Sequence, residues 1–345
     1  MRGNATTPTP VTLTGLAARN VSARRTRAGT SMLGYQTTIA RAVALSGIGV
    51  HTGEPATVTF MPAAPDSGVV FERSMPDGEV IRLKAVAGTV GFTDFCTVLG
   101  TPMGRAVMTV EHLIAAIYAS GIDNLTIAID GPEVPIMDGS AAPFCEAIER
   151  AGTEYQCAKR RYIRVTDIVR VEMGGSWAEF LPHDGTRYEV TIDFPSPAIG
   201  RQTFSSEMDP STFRRELARA RTFGFMRDVE HLWAAGFALG SCLENSVVIG
   251  DDDRVVNPGG LRWKDEFVRH KTLDAVGDLA LAGAQFVGCY RSYRGGHKLN
   301  STALLALLDR PECFEIVEAP TLSAGTVSFA DLVVMNGPAR APWIA

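Results

Sequence analysis

The chain has 345 residues, of which 46% are hydrophobic and 21% are charged, a composition typical of a globular protein long enough for two domains. Its formal net charge of −5 argues against a general nucleic-acid-binding protein, because such proteins normally carry a basic surface. No apolar run approaches the ~18 residues needed to cross a bilayer, so no transmembrane segment is expected. The six cysteines are scattered without a C-x-x-C pair, which favours a reducing compartment over a disulfide framework or a cysteine-based zinc cluster.

The first 33 residues differ from the rest of the chain. They are rich in Thr, Ala, Ser and Arg, and the first acidic residue is Glu54. Acid-poor, arginine-bearing leaders resemble organelle transit peptides. The alternatives are a disordered bacterial extension or a start codon assigned too early, since a more regular sequence begins at Met32. All three interpretations stay open, and residues 1–33 are set apart from the fold.

From about Gln36 the pattern becomes that of a folded α+β domain. Apolar and polar residues alternate on both sides of the glycine-rich stretch GIGVHTG, which predicts a β-hairpin. The segment VEHLIAAIYASG has apolar residues at helical spacing and is predicted to end as a helix at Gly121. A strand (NLTIAIDG), a turn at Asp138–Ser140 and a second helix that stops at Gly152 complete this half.

A comparable order of elements follows the polar stretch TEYQCAKRR. Three strand-like segments precede a helix whose predicted cap is Ser211 or Thr212. An amphipathic helix over FVRHKTLDAVGDLALAG and a last helix after the turn YRGGHKLN come next. We therefore predict two α+β domains of similar plan, over residues 34–157 and 158–318, and a C-terminal tail over 319–345.

The segment RHKTLDAVGD carries the strongest candidate ligands. His270 and Asp274 are four residues apart and share one helix face, and Asp278 lies one turn further along it. An imidazole and a carboxylate at this spacing can bind one divalent ion, with His112 as a third ligand. Three protein ligands leave a position open for water, as in catalytic zinc sites. The alternative is that the helical pair forms an ordinary surface hydrogen bond or ion pair.

Three other residues could take part in hydrolysis. Glu111, beside His112, could accept a proton from a metal-activated water, or it could simply stabilise the helix N-terminus. His297, on a glycine turn, suits a residue that donates a proton to a leaving group, although an ordinary surface histidine has the same pattern. The hydroxyl of Thr222 could stabilise an oxyanion, and the neighbouring Phe223 has the pattern of a core residue.

Six motifs occur together and in order between about residues 36 and 309. They are GIGVHTG, TVEHLIAAI, GIDNLTIAIDGPEVPIMDGSAAPF, RARTFGFMRD, DEFVRHKTLDAVGDL and GGHKLN. In this combination the chain resembles the LpxC family, the UDP-3-O-acyl-N-acetylglucosamine deacetylases of lipid A synthesis in Gram-negative bacteria. The resemblance implies two similar layered α/β-sandwich domains with the active site at their interface.

The resemblance also implies roles for individual residues. It implies that His112, His270 and Asp274 bind Zn²⁺, with Fe²⁺ as an alternative metal. The further implied roles are a general base (Glu111), a general acid (His297), a carboxylate that orients this acid (Asp278), an oxyanion-stabilising threonine (Thr222), a substrate-contacting lysine (Lys271) and an aromatic against the sugar (Phe223). The segment from about residue 224 to 251 is expected to form an apolar passage for the acyl chain.

The expected partner is therefore the acylated UDP-N-acetylglucosamine substrate, bound by a monomer in the bacterial cytoplasm. Organellar import by the N-terminal extension is the alternative location. Two other functions compete with the deacetylase. One is a metal-dependent peptidase or polysaccharide deacetylase. The absence of an H-E-x-x-H motif disfavours the common zinc peptidases, and the N-terminal leader is not a clear secretion signal. A catalytically inactive sugar-nucleotide- or lipid-binding homologue is disfavoured because every implied catalytic residue is present.

Overall fold

The computed structural model describes residues 34–101, residues 104–319 and the backbone of a short strand at 333–334. The N-terminal extension predicted over residues 1–33 and most of the tail predicted over 319–345 lie outside the described residues. Within them, sheets and helices are mixed along the chain, so the predicted α+β class is confirmed.

The first half of the described chain is built on a five-stranded sheet in the order β2-β3-β9-β4-β5, in which only β4 and β9 pair in parallel. Its interior strand β3 alternates buried and more exposed residues, the period-2 pattern of a strand with one covered face. A three-stranded sheet, β6-β7-β8, accompanies it. The elements are β1 (Tyr35–Ile39), β2 (Val43–Ile48), β3 (Pro55–Pro62), β4 (Val69–Ser74), β5 (Val80–Lys84), β6 (Val90–Phe92), β7 (Val98–Thr101), β8 (Arg105–Val107), α1 (Glu111–Ala119), β9 (Leu125–Ile129) and α2 (Ala142–Ala151).

The second half is built on an eight-stranded sheet. Its strands run in the order β12-β13-β18-β11-β19-β20, and β14 pairs in parallel with residues 288–293 of β18 and antiparallel with β15. Helices α5 and α6 pack against this sheet and against each other. The elements are β10 (Thr153–Lys159), β11 (Arg161–Val165), β12 (Val169–Met173), β13 (Ser176–Leu181), β14 (Thr186–Asp193), β15 (Arg201–Glu207), α3 (Pro210–Thr212), β16 (Phe223–Phe225), α4 (Val229–Ala234), β17 (Val247–Ile249), α5 (Glu266–Ala280), β18 (Gln285–Tyr293), α6 (His297–Leu308), β19 (Phe314–Glu318) and β20 (Val333–Val334).

Strand β10 links the two halves. It contains residue 157, where the sequence places the domain boundary, and it pairs with β1 in an antiparallel ribbon. The division into domains over residues 34–157 and 158–318 stays a prediction.

The predicted helix ends at Gly121 and Gly152 are confirmed, since both glycines follow a helix with a positive φ that other residues rarely adopt. The predicted cap at Ser211 or Thr212 is wrong. Helix α3 begins at Pro210, and the side chain of Asp209 caps it by accepting the N–H of Thr212 at 2.8 Å. Proline suits this first position because its φ is already helical and it has no N–H to satisfy.

Helices α1 and α5 make the contact that joins the two halves at their centre. Nearly every residue of α1 is buried, which explains why its apolar residues extend beyond one narrow stripe. At the crossing, a Cβ atom on Gly277 of α5 would lie 2.1 Å from the carbonyl oxygen of Glu111 on α1. The two backbones therefore approach as closely as they do only because residue 277 has no side chain.

This contact predicts the outcome of Gly277→Ala. The added methyl group must push α1 and α5 apart, so we expect the free energy of unfolding to fall by about 1–3 kcal/mol. Gly88→Ala is the matched control, because a Cβ atom there would meet nothing within 4 Å. Chemical denaturation of both variants measures the difference, and a Gly277→Ala protein as stable as wild type would contradict the close approach.

Candidate active site

The helix crossing places three buried side chains around one point. The rings of His112 on α1 and His270 on α5 lie 4.9 Å apart at 83° to each other. Asp274 Oδ1 lies 3.5 Å from His112 Nε2 and 3.3 Å from His270 Nε2. One ligand atom from each of the three lies within 4.8 Å of the others, so a single cation could contact all of them.

The chemistry of these atoms fits a divalent metal ion. His270 Nδ1 donates to the carbonyl oxygen of Ala220 at 3.0 Å, which leaves the lone pair of Nε2 facing the cluster. Burial lowers the pKa of His270 to about 3, so its ring is neutral, as a metal ligand must be. Asp274 Oδ1 is buried and has no hydrogen-bond partner among the described residues. A buried carboxylate oxygen without a donor is costly, and a cation at the cluster would remove that cost.

Lys271 holds the other oxygen of the same carboxylate. Its Nζ donates to Asp274 Oδ2 at 2.8 Å, so Oδ1 alone remains directed at the two imidazoles. Burial disfavours the charge of Lys271, but the attraction of Asp274 outweighs it and raises the pKa of the lysine. The ammonium group also lies 5.9 Å from the centre of the Phe223 ring.

Glu111 and His297 face each other beside this cluster. His297 Nε2 lies 3.9 Å from Glu111 Oε1 and 3.9 Å from Asp274 Oδ2. Burial raises the pKa of Glu111 above its ordinary value, although the nearby His297 and His112 act in the opposite direction. A carboxylate with a raised pKa accepts a proton more readily, and it does so here within reach of a histidine that can donate one.

Asp278 fixes the orientation of His297. The Nδ1–H of His297 donates to Asp278 Oδ2 at 3.0 Å, so Nε2 points toward the cluster. Burial opposes the charge of His297, but the carboxylates of Asp278 and Glu111 outweigh it and raise its pKa to about 9. The imidazolium form is therefore present near neutral pH. Asp278 itself does not line the cavity described next, because it lies behind His297.

The cluster opens into a cavity of about 930 Å³. One wall is formed by the segment that the sequence assigns to an acyl passage, and its lining residues there include Phe225, Met226, Val229, Leu232, Trp233, Leu243 and Val248. The lining also includes Phe92 and Phe95, whose rings lie 6.4 and 5.0 Å from the ring of Phe237 in the same segment. Every implied site residue except Asp278 lines this cavity. A polar cluster therefore adjoins a long apolar surface.

Thr222 is held at the cavity wall by its backbone. Its N–H donates to the carbonyl oxygen of Gly139 at 2.8 Å, and its own carbonyl oxygen accepts the N–H of Val247 at 2.8 Å. The parallel pair of β16 and β17 begins immediately after it, so Phe223 is the first residue of a strand. Phe223 is half-buried against Phe267, with ring centres 4.9 Å apart, and its exposed part lines the cavity.

The remaining histidines differ in position. His51 lines the cavity, and its Nδ1 accepts the N–H of Ala238 at 3.4 Å. His183 and His231, to which the sequence assigns no role, do not line it.

Sequence patterns alone missed two residues next to Asp278. Asn300 Nδ2 donates to Asp278 Oδ2 at 2.8 Å, and Thr97 Oγ1 donates to Asp278 Oδ1 at 2.5 Å. Asn300 follows His297 by three residues on α6, a spacing that places both on one helix face. This spacing was a signal for Asn300. Thr97 had no comparable signal.

The geometry predicts how His297 titrates when Asp278 is neutralised. In Asp278→Asn, the imidazolium loses the carboxylate that most favours it, so its pKa should fall clearly below the value of about 9. NMR titration of the metal-free protein measures this pKa directly. Glu79→Gln neutralises a surface carboxylate that pairs with Arg105 and serves as control. Identical His297 titrations in wild type and Asp278→Asn would contradict the assigned contact.

Comparison with known proteins agrees with this arrangement. Residues 36–309 match the family model described as LpxC, UDP-3-O-acyl N-acetylglycosamine deacetylase. The UDP-3-O-acyl-N-acetylglucosamine deacetylase of Brucella ovis is 60% identical over 289 residues, which are 84% of this chain and 100% of the relative. The enzyme of the same name from Brucella melitensis is 59% identical over the same shares.

The matched range contains the His–His–Asp cluster, Glu111, His297 and the whole apolar wall of the cavity. The similarity extends over both halves of the described chain and is not confined to a single motif. The chain therefore belongs to the LpxC family of UDP-3-O-acyl N-acetylglycosamine deacetylases.

Proposed function

We propose that this protein removes the N-acetyl group of UDP-3-O-acyl-N-acetylglucosamine, releasing acetate and the free 2-amino sugar nucleotide, as a step of lipid A biosynthesis. One observation carries the proposal. A candidate base, Glu111, and a candidate acid, His297, flank a buried His–His–Asp cluster at one end of a largely apolar cavity. Amide hydrolysis needs this combination, because one group must accept a proton from water and another must give one to the amine.

The metal would be held by His112, His270 and Asp274. Two imidazoles and one carboxylate form a donor set that zinc uses in catalytic sites, and Fe²⁺ also accepts these ligands. When bound, the ion supplies Lewis acidity, which lowers the pKa of water and polarises an amide carbonyl. The unpartnered Asp274 Oδ1 supports this assignment, since the rest of the carboxylate is already held by Lys271.

Glu111 is the proposed general base. It takes a proton from the water molecule whose oxygen forms a bond to the acetyl carbonyl carbon. Its backbone carbonyl is fixed against Gly277 and its Oε2 accepts the N–H of Thr97 at 3.0 Å, so Oε1 is the oxygen left to act. Burial raises its pKa, which brings its basicity closer to neutral pH than that of an exposed glutamate.

His297 is the proposed general acid. As the C–N bond of the amide breaks, its Nε2 proton passes to the departing amine, and Asp278 stabilises the imidazolium before this transfer. The hydroxyl of Thr222 at the cavity wall would donate a hydrogen bond to the oxyanion that forms at the carbonyl. Water is thereby split between acetate and the amine, which leaves Glu111 protonated and His297 neutral. Transfer of the proton from Glu111 to His297, whose Nε2 lies 3.9 Å from Glu111 Oε1, would restore the starting protonation of both side chains.

The cavity supports the identity of the substrate. Its apolar wall from the segment at about 224–251 would hold the acyl chain, while Phe223 would lie against the sugar ring. Lys271 also lines the cavity, with its Nζ 5.9 Å from the centre of the Phe223 ring, and its positive charge would attract a polar part of the substrate. Burial of an acyl chain is favourable by ~25 cal/mol per Å² of apolar surface, so this wall could supply much of the binding free energy.

A catalytically inactive homologue is the less favoured alternative. The buried site combines three histidines, three carboxylates and a lysine, and such groups are expensive to keep together without a function. Within the described residues, no helix is long and apolar enough to cross a membrane. The cytoplasmic location and the monomeric state stay predictions.

The proposed roles of Glu111 and His270 predict different outcomes on substitution. Glu111→Gln should retain the metal and lose about 10²–10⁴-fold in kcat, because only the proton acceptor is removed. His270→Ala should lose the metal itself. Metal analysis and acetate release on the same preparations separate the two effects, with His183→Ala as the control. Full activity in metal-loaded Glu111→Gln would reject its role as base.

The apolar wall predicts a strong preference for acylated substrate. UDP-N-acetylglucosamine without the 3-O-acyl chain should show a much lower kcat/KM, because it leaves the wall at residues 224–251 uncovered. Val248→Asp, which introduces a charge into this wall, should lower kcat/KM for the acylated substrate far more than for the unacylated one. Equal losses for both substrates would argue against an acyl passage here.

A further inference from the structure

Thr97 connects the proposed base and the proposed acid. It lies directly before β7, between the buried residues Cys96 and Val98, and only 2% of its surface is exposed. Its N–H donates to Glu111 Oε2 at 3.0 Å, and its hydroxyl donates to Asp278 Oδ1 at 2.5 Å. Its carbonyl oxygen accepts the N–H of Val110, the residue before α1, at 3.2 Å. One residue thus contacts both proton-transfer systems and the start of the helix that carries the base.

The hydroxyl of Thr97 determines how the carboxylate of Asp278 is held. Asp278 Oδ2 already accepts from His297 and from Asn300, whereas Thr97 provides the donor to Oδ1. With donors on both oxygens, the plane of the carboxylate is fixed, and so is the direction of the imidazole bonded to it. Without the hydroxyl, the buried Oδ1 would lose this donor, and the carboxylate would be free to turn.

We propose that Thr97 is a positioning residue for proton transfer, which holds Asp278, and through it His297, in register with Glu111. The inference rests on the proposed deacetylation, since it assigns Thr97 to the base and acid of that reaction. Thr97 is not a catalytic residue, because it does not line the cavity and would not touch the substrate. It acts on the orientation of Glu111 and His297, and both of these side chains line the cavity.

The side-chain requirement follows from this role. The main-chain contact to Glu111 survives any substitution other than proline, so replacing the side chain tests the contact to Asp278 alone. Thr97→Val keeps the shape of the side chain and removes the hydroxyl, whereas Thr97→Ser keeps the hydroxyl and removes the methyl group. Thr97→Ala and Thr97→Ser differ only in the hydroxyl, so their comparison remains valid even if valine disturbs folding.

The experiment measures kcat and KM for acetate release from metal-loaded variants. We expect Thr97→Val and Thr97→Ala to lose about tenfold in kcat with KM nearly unchanged, and Thr97→Ser to stay near wild type. Thr38→Val is the matched control, because it removes a buried hydroxyl that accepts the N–H of Ala63 at 3.0 Å, outside the site. Equal kcat for the serine and alanine variants would overturn the proposal, as would a loss confined to KM.

A double-mutant cycle tests whether the effect passes through Asp278. If it does, adding Thr97→Val to Asp278→Asn should lower kcat much less than it does in wild type. Fully additive losses would mean that the hydroxyl acts elsewhere, and would also overturn the proposal. The role of Thr97 and the proposed deacetylation can be rejected by different results. A wild-type protein that releases no acetate rejects the deacetylase, whereas an active wild type with an unaffected Thr97→Val rejects the role of Thr97 alone.

Discussion

The site depends on the close contact between α1 and α5. Because residue 277 is glycine, the backbone of α5 reaches the carbonyl oxygen of Glu111, and the start of α1 lies against the middle of α5. That single crossing brings His112 from the first half to His270 and Asp274 from the second. It also sets Glu111 opposite His297. Neither half contains a complete site, so the packing of α1 against α5 determines how the site's side chains are arranged.

Charge is balanced within this buried site by pairing each carboxylate with a different partner. Asp278 is paired with His297, Asp274 is paired with Lys271 through one oxygen, and Glu111 accepts an N–H from the backbone. The remaining oxygen of Asp274 has no such partner among the described residues, and it faces the imidazoles of His112 and His270. Burial raises the cost of an unpaired charge, so this one oxygen marks where a cation belongs. Burial lowers the pKa of His297, but its carboxylate neighbours Asp278 and Glu111 outweigh that effect and raise it, whereas burial itself raises the pKa of Glu111.

Much of this site could be predicted from the sequence, and the reason is helical periodicity. Residues 270, 274 and 278 share a helix face because they are four apart, and a helix predicted over VEHLIAAIYASG places Glu111 in its first turn. Helical periodicity cannot relate segments about 160 residues apart. The resemblance of six motifs to one family did so, by implying that His112 and Asp274 bind the same metal ion. Thr97 lay beyond both approaches, because its contacts arise from a loop whose position only the packed structure defines. The cap at Asp209 was missed for a related reason, since Ser211 and Thr212 offered equally good local signals.

We propose that one metal ion, held between the two halves, is required for deacetylation. Titration of metal-free protein with Zn²⁺, with acetate release from UDP-3-O-acyl-N-acetylglucosamine as the readout, is the decisive experiment. We expect no release without metal and a linear rise that ends at one equivalent per chain. Release at an undiminished rate from protein shown to be free of metal would contradict it.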